Sequence, residues 1–138
     1  MDVIFLIARI LFAVLFLFSA VGHITQSVPM SQYAAAKGAP GGRFGVIASG
    51  VTMGVGALMV ALGVFGDLGA LLIAATLVPV SVFMHAFWKG DDAQAKQGDQ
   101  VQFFKNLALI AGALALFVLF ASDAAQAGLT LTDAVISL

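Results

Sequence analysis

The fold is decided by the stretch Val3–Ile24, VIFLIARILFAVLFLFSAVGHI, whose one formally charged residue is Arg9. At 1.5 Å per residue, a helix of this length measures about 32 Å and matches a bilayer core of about 30 Å. Lipid offers no hydrogen-bond partners to the backbone, so a crossing segment has to pair its own amides and carbonyls as a helix. We therefore predict a transmembrane helix here.

Three further apolar stretches have the length of a membrane span: Phe44–Phe65, Leu68–Trp88 and Val101–Ala121. The whole chain is 62% hydrophobic and only 9% charged. A soluble domain carries about 25% charged residues. We predict an all-α, integral membrane four-helix bundle in a single domain over residues 1–138, with a surface-lying tail at 122–138. A signal peptide is disfavoured, because Asp2–Ala8 is apolar rather than basic.

The composition also limits the chemistry. The chain has no cysteine, which excludes thiolate chemistry and disulfides within it. Its net charge of -1 offers no basic surface for nucleic acid. Two histidines and no glutamate lead us to expect no metal site. No nucleophile, phosphate-loop or dinucleotide motif is present, so no catalytic residue is assigned.

Charges near the span ends predict the orientation. Four spans place both termini on one side and the two long loops on the other. The loop side and its edges carry Lys37, Arg43, Lys89, Lys96 and Lys105. The positive-inside rule then predicts cytoplasmic loops and termini on the opposite side.

Helical spacing predicts which side chains face the bundle interior. Arg9, Phe12, Phe16, Ser19 and His23 follow steps of three and four residues along the first span, so they share one face. In the second span, Gly50 and Gly54 form a GxxxG pair that permits close helix approach. The pair could pack inside the chain or form a homodimer face, and the motif alone does not separate the two.

Chain direction brings distant residues to one depth. The first and third spans end, and the fourth begins, at the same membrane face. We predict a ligand-binding set there, formed by His23, His85, Trp88, Lys105 and Asn106. Three of them also have an ordinary explanation: His85 as a solvated or backbone-bonded histidine, Trp88 as an interfacial tryptophan, and Lys105 as a lysine bound to lipid phosphate. Asp99 is expected to cap the start of the fourth helix.

Arg9 completes the set of candidate ligand-binding residues. An arginine within a span is costly and therefore a site candidate. Three interpretations stay open: Arg9 extends to the near surface, it pairs with Asp67 or Asp123, or it anchors an anionic or carbonyl ligand.

At this point the chain resembles the DoxX family of small four-helix membrane proteins, especially its YphA-like bacterial members. The resemblance is carried by ARILFAVLFLFSAVGHI, QYAAAKGAP, GALMVALGVFGDLGALLIA, HAFW, FFKNLALIAGALAL and GLTLTD, in this order along almost the whole chain. It implies a bundle in the bacterial inner membrane, which would make the predicted outer side, with both termini, periplasmic. Two departures stand out: His23 replaces a frequent lysine, and the second span lacks a frequent glutamate.

The resemblance also implies a redox connection, since some relatives are linked to quinone-coupled thiosulfate oxidation and others to membrane oxidoreductase complexes. We expect a subunit that binds a quinone or lipid-like ligand in the bundle, with electrons from a partner subunit. The alternatives are a structural or assembly protein without its own site, and a small transporter. Two histidines without a carboxylate at their level again argue against a metal.

Overall fold

The structure is a computed structural model that describes residues 2–122, 129–136 and 138. Its elements are α1 (Asp2–Thr25), α2 (Ser27–Ala36), α3 (Gly42–Leu62), α4 (Gly66–Met84), a 3-10 turn (Phe87–Lys89) and α5 (Ala93–Ala121). Four segments are long and apolar enough to cross a membrane. Three of them are α1, α3 and α5, and the fourth is α4 together with the 3-10 turn. The prediction of an all-α membrane four-helix bundle is confirmed.

The four long helices alternate in direction. α3 packs against both α1 and α4, and α4 packs against α5. Side chains join α1 to α5, where the rings of Phe5 and Phe120 lie 5.3 Å apart. We call the end that holds α2 and the α4–α5 connection the loop end. The opposite end, with the α3–α4 turn and residues 129–138, is the tail end.

Small residues bring α3 close to its neighbours. A Cβ at Gly56 would lie 2.8 Å from the carbonyl oxygen of Gly69, so α3 and α4 approach at backbone distance. A Cβ at Gly50 would lie 2.5 Å from the Cβ of His23. The GxxxG pair therefore packs against α1 within the chain, and a homodimer stays a prediction.

The apolar core fills the bundle between these contacts. Its buried members include Phe16, Met53, Val60, Ile73, Leu77, Leu116 and Phe120. Outward-facing side chains such as Phe18 and Phe44, 76% and 81% exposed, are equally apolar. This pattern is the one expected when the surrounding solvent is lipid.

Three local features differ from the sequence prediction. The first connection contains a ten-residue helix, α2, which was expected as a loop. α5 begins at Ala93, and its N-cap is Asp92, whose side chain accepts from the Ala95 amide. The expected capping role of Asp99 is therefore wrong. α4 ends at Met84, so Trp88 lies on the 3-10 turn rather than at the end of the helix predicted for Leu68–Trp88.

The described part of the tail is fastened to the tail end of the bundle. The amides of Leu131 and Thr132 donate to the carbonyl of Gly63. Those of Val135 and Ile136 donate to one oxygen of Asp67, at 2.9 and 2.8 Å. Residues 129–136 thus lie across the α3–α4 turn in irregular conformation.

Candidate functional site

An open cavity of about 420 Å³ lies at the loop end. The last turn of α1 and the turn after it, together with α2, α3 and α4, enclose it. From α1 to α3 it is lined by His23, Gln26, Pro29, Met30, Tyr33, Ala34, Ala39, Pro40, Gly42, Gly45, Val46 and Ser49, and from α4 by Thr76, Pro79, Val80, Phe83 and Met84. Pockets of about 300–1,000 Å³ lined mainly by apolar side chains are typical ligand sites.

Three half-buried polar side chains, those of His23, Ser49 and Thr76, line the part of the cavity where α3 contacts α1 and α4, which we call the deep wall. His23 packs against Gly50 of α3, next to Ser49. The Thr76 hydroxyl lies 3.2 Å from that of Thr52, which belongs to the same turn of α3 as Ser49. His23 and Thr76 therefore lie at the contacts of α3 with α1 and α4.

Hydrogen bonds orient the ring of His23. Its Nδ1 lies 2.8 Å from the carbonyl oxygen of Ser19, one turn earlier in α1. The Ser19 hydroxyl is farther away, at 3.4 Å. A carbonyl oxygen only accepts, so Nδ1 carries the hydrogen and Nε2 faces away from the helix backbone.

His85 does not line the cavity but contacts a carboxylate. Its Nδ1 lies 3.4 Å from Oδ1 of Asp99, and Lys37 donates to the other oxygen of that carboxylate. The hydrogen bond to Asp99 raises the pKa of Lys37. The cluster joins the C-terminal ends of α2 and α4 to α5. The expectation that no carboxylate lies at the level of the histidines is therefore wrong.

Trp88 belongs to an aromatic cluster beside this polar one. Its ring lies 5.2 Å from that of Phe87 and 5.5 Å from that of Phe103. The edge-on geometry of both contacts is favourable for aromatic pairs. Asn106 is buried in α5, whereas Lys105 is exposed. Of the predicted set at this level, only His23 lines the cavity.

Arg9 lies at the tail end, about 21 Å along α1 from His23. Its side chain is fully buried, so the interpretation that it extends to the near surface is wrong. Its guanidinium donates to the carbonyls of Val60, Ala61 and Leu129 at 3.0, 2.8 and 3.0 Å.

Within residues 2–122, 129–136 and 138, Arg9 and Asp67 do not form an ion pair. Asp123 lies outside these residues. Anchoring of a ligand by Arg9 stays a prediction, since the contacts made within the described chain are all to protein carbonyls and to two flanking rings, Phe5 and Phe120.

Sequence reasoning missed Asp99 as an inward-facing residue, although a signal was present. The buried face of α5 contains Asn106, Ala113 and Phe120, which are seven residues apart. One further step of seven toward the N-terminus reaches Asp99. The prediction began the span at Val101, and so the stripe was not extended into the polar loop.

The fold and the cavity together define a small multi-pass helical membrane protein with a pocket at one end of its bundle. The DoxX family model matches residues 4–86, which is more than half of the chain and includes every residue that lines the cavity. The chain belongs to the DoxX family. No curated protein and no solved structure gives a significant match to it.

Proposed function

We propose that this DoxX protein is a membrane subunit that binds a quinone-class, lipid-like ligand in the loop-end cavity and serves a redox system. Electrons would come from a partner subunit. The observation that carries the proposal is the cavity itself: about 420 Å³, mostly apolar, with a histidine in its wall. A quinone needs an apolar slot for its ring and tail and a few polar groups for its oxygens.

The position of the cavity suits a ligand that arrives through the bilayer. Pro79 and Phe83 line it from α4, and both are exposed. The adjacent residues Val78 and Val82 are 51% and 44% exposed. A lipid-soluble molecule could therefore enter sideways, between α4 and the overlying α2, without crossing water.

A binding titration with a blocked cavity tests this proposal. Ser49 is half-buried and lines the cavity, so Ser49→Phe places a ring inside it. We expect purified protein in nanodiscs to bind a short-chain benzoquinone saturably, and Ser49→Phe to weaken that binding by about tenfold or more, as for the loss of about 1.4 kcal/mol.

Val51→Phe is the matched control. Val51 is two residues away on the same helix, 46% exposed and outside the cavity lining. It should bind the benzoquinone as the parent protein does. Absence of saturable binding by the parent protein, or equal loss in both variants, would contradict the proposal.

A structural or assembly role is the second candidate. It is favoured by the use of polar residues inside the chain: Arg9 holds the tail, and Asp99 links Lys37 to His85. On this account, substitutions at these positions reduce the yield of an assembled complex without changing turnover per complex. Turnover that falls in assembled complexes would argue against it.

We also propose residence in the bacterial inner membrane with both termini in the periplasm. The support is the set of basic residues at the loop end, which the positive-inside rule assigns to the cytoplasm. A periplasmic phosphatase fused after Leu138 should be active, whereas one inserted in the α4–α5 connection should be inactive. The reverse pattern would overturn the orientation.

A further inference from the structure

We infer that the deep wall of the cavity selects a head group that donates a hydrogen bond, which for a quinone-class ligand is the reduced quinol form. The inference rests on the proposed function and adds the oxidation state of the preferred ligand. It follows from the hydrogen-bond state of the three polar side chains of the deep wall, His23, Ser49 and Thr76.

His23 presents an acceptor to the cavity. Because Nδ1 carries the ring hydrogen toward the Ser19 carbonyl, Nε2 of the neutral ring has only a lone pair. Nε2 has no hydrogen-bond partner among the described residues. Among the described residues, Asp67 Oδ1 is the only side-chain nitrogen or oxygen that is both buried and without a hydrogen-bond partner. Because His23 Nε2 also has no partner, it has to be accessible rather than buried.

The two hydroxyls of the deep wall have already donated their hydrogens. Ser49 Oγ donates to the carbonyl of Val46 at 2.8 Å. Thr76 Oγ1 donates to the carbonyl of Leu72 at 2.8 Å or to Thr52 Oγ1 at 3.2 Å. In either arrangement the hydrogen is taken by a protein oxygen, and lone pairs remain for a ligand.

Donors lie only farther out among the lining residues of the described chain. The Gln26 amide, the Tyr33 hydroxyl and the backbone N–H of Gly42, in the first turn of α3, belong to exposed residues at the rim. A head group that stops at the rim can be held through a carbonyl oxygen. One that reaches His23 has to donate.

This arrangement distinguishes the two forms of a quinone. A quinone carbonyl has no hydrogen to donate, and against Nε2 it would place one lone pair opposite another. A quinol hydroxyl donates to Nε2 and can still accept at the rim. An unmade hydrogen bond of a desolvated acceptor is costly, so the difference between the forms should be measurable.

Titrations with four probes that share one decyl tail test the inference, in nanodiscs at mildly alkaline pH. The probes are a benzoquinone, its quinol, the dimethyl ether of the quinol and an aliphatic diol. We expect the quinol to bind about five- to tenfold more tightly than the quinone, as for one net hydrogen bond. The dimethyl ether should bind no better than the quinone.

Replacement of the acceptor gives the second comparison. His23→Phe keeps a ring but removes Nε2, so it should abolish the difference between quinol and quinone affinity. Val21 lies on the lipid face of α1 and is 59% exposed, so Val21→Phe should preserve the difference between quinol and quinone affinity. If His23→Phe does not fold, the dimethyl ether arm on the parent protein decides alone.

The outcomes separate the inference from the proposed function. Equal affinities for quinone and quinol, or tighter quinone binding, would overturn the inference while the cavity remains a ligand site. Binding of the aliphatic diol as tight as that of the quinol would overturn quinol selection and identify a lipid alcohol as the ligand. No saturable binding by any probe would overturn both.

Discussion

Arg9 shows how a span accommodates a buried cation without an acid among its described contacts. Its Nε and Nη2 donate to carbonyls in the last turn of α3, where no further helical turn follows to bind the carbonyls and the dipole favours positive charge. Nη1 adds the Leu129 carbonyl of the tail. One side chain therefore fastens α1, α3 and the tail together.

Arg9→Lys should lower the free energy of unfolding by about 2–4 kcal/mol, because an ammonium cannot reproduce three bonds made by a planar fork. The measurement is an unfolding titration in mixed micelles. Arg43→Lys is the control, since the exposed Arg43 side chain makes one hydrogen bond within the described residues, to Ser27 Oγ. It should change the free energy by less than about 1 kcal/mol. Equal effects of the two substitutions would contradict the role of Arg9.

The Lys37–Asp99 pair predicts a measurable coupling. A double-mutant cycle of Lys37→Met and Asp99→Asn should give about 0.5–1 kcal/mol at low salt and less at high salt, because the side chains are 28% and 16% exposed. The pKa of Lys37 is raised above its ordinary value of 10.5. Wherever Asp99 is ionised, the coupling is therefore complete below that value and is lost as the pH rises through the raised pKa of Lys37.

The cycle of exposed Asp91 and Lys96, which form no ion pair in the described chain, is the matched control and should show no coupling. A coupling of the same size in both cycles would show that the effect comes from general surface charge. No coupling in the Lys37–Asp99 cycle would show that the pair does not stabilise the fold.

Single residues were predictable from sequence when a helical stripe contained them. The stripe of α1 gave the inward face of Arg9, Phe16 and His23 from spacing alone. It could not give their partners, because the carbonyls bound by Arg9 are about 50 and 120 residues away in the chain. Backbone acceptors carry no sequence signal, so no motif would have distinguished them from Asp67.

At the scale of elements, the long helices follow from apolar length and α2 does not. The segment SVPMSQYAAA is neither apolar enough to span nor clearly amphipathic, and it contains a proline. This segment is helical because it packs on α3, and its residues Ser27 and Ala34 are buried. Because α2 forms one wall of the cavity, this wall could not be predicted from the sequence.

The tail is the second element whose position depends on distant contacts. Asp67 lies in the first turn of α4 and accepts hydrogen bonds from the amides of Val135 and Ile136 through one oxygen. Asp67→Ala should release residues 129–136 to added protease and lower the free energy of unfolding by about 1–3 kcal/mol. Limited proteolysis with mass spectrometry, beside an unfolding titration, measures both effects.

Two variants sharpen this test. Asp67→Asn keeps one carbonyl oxygen as an acceptor and should have a smaller effect than Asp67→Ala. Asp133→Ala removes an exposed carboxylate from the same tail and should leave cleavage unchanged. Cleavage that is insensitive to Asp67→Ala would show that the tail is held by other contacts.

At the scale of the whole molecule, chain topology accounts for the fold and only part of the site. Alternating helices bring the ends of α1 and α4 and the start of α5 to the loop end, as the sequence predicted. Within that end, His23 lies on the cavity side, whereas His85 and Trp88 lie against α5. Depth is set by topology, but the side of the bundle is set by packing that the sequence does not reveal.

The central claim is that a lipid-like ligand occupies the cavity beneath α2, and photolabelling in nanodiscs tests it most directly. A short-chain quinone with a photoreactive group is cross-linked, and labelled residues are mapped by mass spectrometry. We predict labels confined to residues 23–49 and 76–84, which unlabelled ligand suppresses. Labels that spread evenly over the lipid faces of α1 and α5, or that gather at residues 85–88 and 101–106, would contradict the claim.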